Sequence, residues 1–177
     1  MHCARLASRS NLGENGLQDR PSETVFEDRC SKTSTRPMLI LPPHVQRDLS
    51  TWITAGYPDE TCGLLVGRVE NGRVAVERAV QAKNLNRERA RDRYDLDPSD
   101  WVKADLAARD EGLEIVGIWH SHPDHPPRPS ETDLAEALNS GMHGYSYLIV
   151  EVEAAGIAGL RSWRLCENRF DEELLQS

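Results

Sequence analysis

Two histidines and an aspartate form the part of this sequence that is best suited to metal chemistry. His120 and His122 are two residues apart at the end of an apolar stretch, so in a β-strand both imidazoles point to the same face. Asp133 follows a proline-rich loop, near the start of a predicted helix. Two imidazole nitrogens and a carboxylate oxygen can bind one Zn²⁺ and leave its fourth position open, as in catalytic zinc sites. The spacing therefore indicates a catalytic metal site.

Two further residues suit the same chemistry. Glu60 precedes an apolar stretch that is predicted to be a buried strand, and a carboxylate there can act as a general base, with the adjacent Asp59 as its competitor. Ser130 lies three residues before Asp133, so both side chains share one face of a first helical turn. The same spacing is typical of a capping box, in which the two side chains only complete the helix N-terminus. From the residues alone, both interpretations of Ser130 stay open.

The elements predicted around these residues are helices interspersed among hairpin-connected strands. Three helices are predicted from capping residues and apolar faces, starting near Pro43, Pro98 and Ser130. The strands are predicted from apolar runs, at 62–69, 73–80, 94–96, 113–120, 145–152 and 159–166. Asn71-Gly72 supplies a type I′ hairpin turn, and Val74, Val76 and Val80 are expected on one face of the returning strand, with Ala79 on the other. This order predicts an α+β, or mixed α/β, fold with a largely antiparallel sheet.

The composition limits the classes of function. The chain has 177 residues, which suits one folded domain, and its 21 Lys and Arg against 29 Asp and Glu give a formal net charge of −8. This acidic balance argues against a binder of nucleic acid or of anionic membranes. No apolar run has the length of a membrane span. Four scattered cysteines are too few for a disulfide framework, so a cytoplasmic location is expected.

The patterned part of the chain is predicted to be a single domain. Residues 1–37 are poor in apolar residues and show neither a helical nor a strand period, so we expect a disordered N-terminal extension, with Met38 as a candidate natural start. Residues 38–166 carry the predicted elements and are expected to form one folded domain. Residues 167–177 are expected to be an acidic C-terminal tail.

The motifs taken together resemble the JAMM (MPN) metalloprotease family. Glu60 is followed by Cys-Gly-Leu-Leu-Val-Gly, and His-Ser-His-Pro is followed, after six residues of which the last is Pro, by Ser-x-x-Asp. The resemblance covers residues 38–166 and implies a curved, mainly antiparallel sheet flanked by helices. It implies a zinc-bound water as nucleophile, Glu60 as general acid and base, and Ser130 as a donor to the oxyanion. The implied ligands of one Zn²⁺ per chain are His120, His122 and Asp133.

The short chain resembles the prokaryotic stand-alone branch of that family. This implies a zinc metallopeptidase or metallo-isopeptidase that cleaves an amide or isopeptide bond at the Gly-Gly tail of a ubiquitin-like sulfur-carrier protein. Gly63 and Gly67 are candidates for close approach of that tail to the backbone. A basic loop is the candidate for contact with an acidic partner, through Arg87, Arg89, Arg91 and Arg93. A homodimer is compatible with the sequence.

Two other functions also have a basis in the sequence. The stretch from His120 to His125, with Asp124, matches the H-x-H-x-D-H signature of metallo-β-lactamases, but that fold needs further His and Asp ligands, and His143 is the only histidine that remains downstream. The other alternative is a non-catalytic module that binds a ubiquitin-like protein without cleaving it. Replacing Glu60 by Gln separates a binding module from an enzyme.

Overall fold

A computed structural model describes residues 37–177. The prediction of disorder for residues 1–37 therefore lies, apart from Pro37, outside the described residues. The helices are α1 (Pro43–Gly56), α2 (Pro98–Asp110) and α3 (Glu131–Ser140). The strands are β1 (Met38–Ile40), β2 (Cys62–Glu70), β3 (Arg73–Ala82), β4 (Glu114–Pro123), β5 (Ser146–Glu153), β6 (Gly156–Cys166) and β7 (Arg169–Gln176).

These strands form one sheet that closes into a barrel in the order β1-β3-β2-β4-β5-β6-β7. β2 pairs antiparallel with β3 and β4, and β6 pairs antiparallel with β5 and β7. Only the β4–β5 pair and the two pairs made by β1 are parallel. The predicted α+β fold with a mainly antiparallel sheet is confirmed, and closure depends on the short strand β1, which pairs with β3 on one side and β7 on the other.

The helices form where their apolar faces and caps predict them. In α1, Val45, Leu49 and Ile53 recur every four residues and are all buried. At the start of α2, the Asp97 carboxylate accepts a hydrogen bond from the Ser99 N–H, as an N-cap residue does. Within residues 37–177, no helix has the length and apolar character of a membrane span.

Two apolar clusters lie on opposite faces of the sheet. Leu64 and Leu65 are neighbours on β2 but belong to different clusters, as the alternation of a strand requires. The cluster around Leu65 includes the buried face of α1, whereas the cluster around Leu64 includes Ala104 of α2 and Ala137 of α3. On β4, Ile118 belongs to the second cluster, so His120, two residues further, points to the face that α2 and α3 cover.

The strands β2 and β3 differ in one detail from the prediction. Their register shifts opposite Val66 and Gly67, which leaves Glu77 of β3 as an extra, unpaired residue. Such a bulge reverses the alternation beyond it. Ala79, and not Val80, therefore lies in the same cluster as the earlier valines of β3.

The C-terminal residues, expected as an acidic tail, form strand β7 instead. Glu173 of β7 is only 4% exposed, and its carboxylate pairs with the buried Arg164 of β6 at 2.7 Å. Ser162 donates a further hydrogen bond to the same carboxylate. A charged sequence is compatible with a buried position here because the opposite charge lies on the neighbouring strand.

Candidate metal centre

Two histidines of β4 and one aspartate of α3 converge on one point. The Nε2 atoms of His120 and His122 are 3.0 Å apart. Asp133 places Oδ1 3.4 Å from the Nε2 of His120 and Oδ2 3.5 Å from the Nε2 of His122. One ligand atom of each residue lies within 4.8 Å of the others, and no side chain of the three is more than 10% exposed. The fold thus brings together the three metal ligands that the sequence predicts.

The proline-rich loop after β4 orients His122. The carbonyl of Pro126 lies 3.0 Å from the Nδ1 of His122, and because a carbonyl can only accept, Nδ1 carries the proton. The other ring nitrogen, Nε2, faces His120 and Asp133. The next carbonyl, that of Pro127, accepts a hydrogen bond of 3.0 Å from the indole N–H of Trp163 on β6. Two successive carbonyls therefore fix the loop, and one of them holds the ring of His122.

Burial and mutual charge set the protonation of the cluster. Burial lowers the pKa of His120 to about 4, although the charge of Asp133 opposes the change, so this ring is neutral at neutral pH. Burial also acts to lower the pKa of His122, but hydrogen bonds to Asp133 and to the Pro126 carbonyl outweigh it and the pKa rises. For Asp133, burial acts to raise the pKa, and contacts with the two imidazoles and with Ser130 hold it far below its usual range. The cluster therefore contains a buried negative charge that attracts a cation.

Glu60 lies beside this cluster, immediately before β2. It is 8% exposed, and burial raises its pKa to about 7. The charge of His122 opposes this rise and that of Asp133 adds to it, because both lie near the Glu60 carboxyl. A carboxyl with this pKa can both accept and release a proton near neutral pH. The competing residue Asp59 is exposed to solvent, so the structure favours Glu60 as the base.

Ser121, the residue between the two histidines, joins the Glu60 segment to β4. Its hydroxyl accepts a hydrogen bond of 2.9 Å from the N–H of Thr61, and its own N–H donates to the Thr61 carbonyl at 2.9 Å. The segment that carries Glu60 is therefore bonded to β4 at the residue between the two histidines. The sequence interpretation missed this role, although a serine inside an apolar strand indicates a buried hydrogen-bond partner.

Tyr94 is a second residue that the sequence interpretation missed. Its ring stacks on that of His120, with the centroids 4.6 Å apart and the planes at 28°. Tyr94 also lines a cavity of about 790 Å³ bounded by α2 and α3, which Trp101 and Met142 line as well. The tyrosine therefore forms a wall shared by the cavity and the metal cluster. The stretch 94–96, predicted as a strand, forms only one bridge, between Leu96 and Asn84.

Ser130 is the N-cap residue of α3 and forms a capping box with Asp133. Its hydroxyl and its N–H both donate to Oδ2 of Asp133, at 2.7 and 2.6 Å. The N–H of Asp133 donates in return to the Ser130 hydroxyl at 3.1 Å. The capping interaction is thus present, and it also holds the carboxylate of the candidate metal cluster.

The glycines predicted to admit a substrate are buried inside the sheet. A Cβ on Gly63 would lie 2.0 Å from the carbonyl oxygen of Val80, and a Cβ on Gly67 would lie 2.0 Å from that of Ala75. β2 is paired with β3 and β4 along this stretch, so neither edge is open. These glycines therefore allow β3, and not a substrate, to pack closely against β2. The prediction that they admit a substrate tail is wrong.

The four predicted partner-binding arginines lie in a loop next to Glu60, here called the arginine loop (residues 86–93). The carbonyl of Ala90 in this loop accepts a hydrogen bond of 2.5 Å from the Glu60 N–H. Arg89 is ion-paired within the loop with Asp92. The loop thus lies at the rim of the site. Its other arginines are the exposed Arg87 and Arg91 and the half-buried Arg93.

The chain is similar to known proteins in both sequence and structure. It is 34% identical over 135 residues to a desampylase of Pyrococcus furiosus, which covers 76% of this chain and 86% of the relative. It is 32% identical over 130 residues to a CysO-cysteine peptidase of Mycobacterium tuberculosis, over 73% of this chain and 79% of the relative. A solution structure of a Desulfitobacterium hafniense protein matches with a TM-score of 0.68 and 27% identity, over 78% of this chain and 90% of that chain.

Residues 42–166, which include Glu60 and the metal cluster, match the family model described as prokaryotic homologs of the JAB domain. This confirms the predicted family and, with the named peptidase relatives, the predicted class of enzyme, a hydrolase. It contradicts the metallo-β-lactamase alternative, and Asp124 of that signature accepts hydrogen bonds from the Tyr57 hydroxyl instead. The chain belongs to the family of prokaryotic homologues of the JAB domain.

Proposed function

We propose that this protein is a Zn²⁺-dependent hydrolase that cleaves an amide or isopeptide bond at the C-terminal tail of a ubiquitin-like sulfur-carrier protein. The observation that carries the proposal is a buried His-His-Asp cluster with Glu60, whose pKa is about 7, beside it. Relatives named as a desampylase and a CysO-cysteine peptidase support the cleavage of ubiquitin-like protein conjugates.

The residues of the cluster fit a zinc ion. Two imidazole nitrogens and one carboxylate oxygen are a set that Zn²⁺ prefers, whereas Mg²⁺ and Ca²⁺ prefer oxygen ligands alone. His120 is neutral because of its burial, His122 directs its Nε2 into the cluster, and Asp133 supplies the negative charge. A bound Zn²⁺ supplies Lewis acidity and makes water a nucleophile near neutral pH. Since all three proposed ligands come from one chain, a homodimer, with which the sequence is compatible, is not needed to build the site.

Glu60 is the proposed proton carrier. Its carboxylate accepts a proton from the attacking water, and the carboxyl that results donates this proton to the leaving amine nitrogen. A pKa of about 7 suits both halves of this cycle, because neither form of the group is strongly favoured near neutral pH.

Ser130 has two proposed roles. In this structure its hydroxyl donates to Asp133, which positions the carboxylate. The N–H of Ser130 donates to the same oxygen, so the carboxylate keeps one hydrogen bond when the hydroxyl rotates. We propose that the hydroxyl then donates to the carbonyl oxygen of the substrate as negative charge develops on it.

The cavity bounded by α2 and α3 is the proposed route of the substrate tail. Tyr94 lines this cavity and stacks on His120, so a tail held in the cavity lies next to the cluster, and we propose that its two terminal glycines pass the edge of this ring. The lining includes the apolar Trp101 as well as Asp95 and Glu136, so apolar and basic side chains before the glycines suit it. The exposed arginines of the arginine loop are the proposed contact with an acidic surface on the body of the carrier.

The proposal is tested with a Gly-Gly-ending sulfur-carrier protein that bears a C-terminal cysteine, or a lysine joined through its side chain. We expect the zinc-loaded protein to remove the cysteine or lysine, which intact-mass analysis detects. Glu60→Gln is expected to keep its zinc but to cleave at least about 100-fold more slowly. Binding of the adduct without cleavage by the wild-type protein would identify the non-catalytic module. Full turnover after exhaustive chelation would exclude the metal.

A further inference from the structure

We propose that Asn84 is a positioning residue for Glu60, because its side-chain amide connects the backbone of the base to both ends of the arginine loop. This inference rests on the proposed function of Glu60. It assigns a role to a residue that lies outside the metal-binding motif, just after β3, and is half-buried.

The side chain of Asn84 uses both its amide nitrogen and its amide oxygen twice. Nδ2 donates to the carbonyls of Glu60 and Arg93, each at 3.0 Å. Oδ1 accepts from the N–H groups of Asn86 at 2.9 Å and Asp95 at 3.0 Å. An asparagine has two donors and two acceptor lone pairs, so this side chain is fully bonded. One residue therefore joins three pieces of backbone: the peptide that leads into β2, the start of the arginine loop and its end.

The base of the loop is closed by backbone hydrogen bonds on either side of Asn84. Leu85 donates to the carbonyl of Asp95 at 2.7 Å, and Asp97 donates to that of Lys83 at 3.0 Å. These bonds fix Asn84 relative to β3 and to the start of α2. The backbone that carries Asn84 is therefore held on both sides. Its side-chain hydrogen bonds can hold the Glu60 backbone in place because they do not depend on a free loop.

Glu60 depends on this support because its own peptide groups are bonded to the loop. Its carbonyl accepts from Asn84, and its N–H donates to Ala90 at 2.5 Å. The next residue, Thr61, is held from β4 by Ser121. Hydrogen bonds from the arginine loop and Asn84 on one side, and from β4 on the other, thus fix the backbone of Glu60. A proton carrier must stay within hydrogen-bond distance of the atoms it serves, so a shift of about 1 Å costs about 100-fold in rate.

Two substitutions separate this role from that of merely shaping the loop. Asn84→Asp keeps an oxygen that can accept from Asn86 and Asp95, so the turn at the start of the loop keeps its acceptor, but it loses both donors. Asn84→Ala loses donors and acceptors together. Asn168→Ala is the matched control, because Asn168 is exposed in the turn between β6 and β7, far along the chain from the site.

Two readouts are needed, one of position and one of catalysis. Amide hydrogen exchange of Glu60, measured by NMR relative to the core amide of Leu148, is expected to be at least about 10-fold faster in both Asn84 variants. The kcat on the carrier adduct is expected to fall about 10-fold to 100-fold, with unchanged KM and zinc content. Asn168→Ala is expected to match the wild-type protein in all four quantities.

Three results would overturn the inference. The first is unchanged exchange of the Glu60 amide in Asn84→Asp, and the second is a normal kcat despite faster exchange. The third is a raised KM with unchanged kcat, which would assign Asn84 to the substrate surface instead. If the wild-type protein cleaves no adduct, the proposed function fails, and the exchange rate still decides whether Asn84 holds Glu60 in place.

Discussion

Glu60 owes its raised pKa first to burial and only then to its charged neighbours. The nearby carboxylate of Asp133 adds to the rise, and His122 opposes it. A cation bound by the cluster would favour the ionised form of Glu60 and lower its pKa from about 7. Ionising Glu60 therefore costs most in the metal-free protein, where that cost can be measured as a change in stability.

We expect Glu60→Gln to stabilise the metal-free protein at alkaline pH. Folding raises the pKa of this carboxyl from 4.5 to about 7, so its contribution to stability is present below the unfolded pKa and is lost as the pH rises through 7. Glutamine stays neutral throughout. The gain in unfolding free energy should therefore grow from near zero at about pH 4 to at most about 3 kcal/mol at about pH 8. Urea unfolding in the presence of a chelator measures it.

The control for this prediction is Asp59→Asn, which neutralises the exposed carboxyl next to Glu60. It should not reproduce the pH-dependent gain. A difference between Glu60→Gln and wild type that stays constant from about pH 4 to about pH 8 would show that burial does not perturb Glu60.

Ser130→Ala distinguishes the two roles proposed for the hydroxyl. The variant keeps the N–H donor to Asp133 and loses the hydroxyl. We expect kcat at saturating zinc to fall about 100-fold to 1,000-fold, as for other oxyanion donors, and α3 to lose about 1 kcal/mol at its N-cap. Zinc titration against a chromophoric chelator, followed by turnover of the loaded enzyme, separates the effects. Weaker zinc binding with a normal kcat would leave Ser130 with the positioning role alone.

At the scale of single elements, the site could be predicted where its residues share one regular segment. The pair on β4 and the capping pattern of α3 follow from strand and helix periods. Asn84 and Tyr94 were missed because their contacts, to Glu60 and His120, join segments that are distant in sequence. The periodicity of apolar residues within one helix or strand carries no information about such a contact. Ser121 did carry a signal, because a hydroxyl inside an apolar strand needs a buried hydrogen-bond partner.

The loop after β4 is expected to depend on Trp163 for its position. Trp163→Phe keeps an aromatic ring and removes the N–H that donates to the Pro127 carbonyl. Since the adjacent Pro126 carbonyl orients His122, we expect zinc affinity to fall about 10-fold while the fold is retained. Competition with a chromophoric chelator measures this affinity. Trp52→Phe, which alters a stacked pair with Trp119 in the other apolar cluster from Trp163, is the control and should bind zinc normally.

The glycines of the sheet allow a matched pair of substitutions. A Cβ on Gly63 would meet the Val80 carbonyl at 2.0 Å and the indole nitrogen of Trp119 at 2.6 Å, so β3 must move. We expect Gly63→Ala to lower the free energy of unfolding by about 3 kcal/mol. At Gly159 the nearest atom is the end of the Glu151 side chain at 3.2 Å, which can move, so Gly159→Ala should stay within about 1 kcal/mol. Equal urea midpoints for the two variants would contradict the packing role of Gly63.

At the scale of the whole molecule, the fold class was predictable but the closure of the barrel was not. Alternation and turn residues identify the hairpin of β2 and β3 and the antiparallel sheet. Strand β1 has only three residues, too few for a visible period. Strand β7 is charged because Glu173 neutralises a buried arginine of β6, a pairing that no local pattern shows. Closure depends on the contact between these two strands.

The two ends of the described chain should therefore respond differently to truncation. A chain that begins at Met38 keeps β1, and among the described residues it loses the hydrogen bond of 2.9 Å from the Leu174 N–H to the Pro37 carbonyl. We expect its free energy of unfolding to stay within about 1 kcal/mol of that of the full chain.

A chain that ends at Glu167 loses β7, its pairing with β1 and β6, and the carboxylate that neutralises Arg164. Removing one member of a buried ion pair alone costs about 3–5 kcal/mol, so this chain should lose its cooperative urea transition in circular dichroism. A stable, cooperative chain ending at Glu167 would contradict the role of β7 in closure, and strong destabilisation of the chain beginning at Met38 would show that residues 1–37 belong to the folded domain.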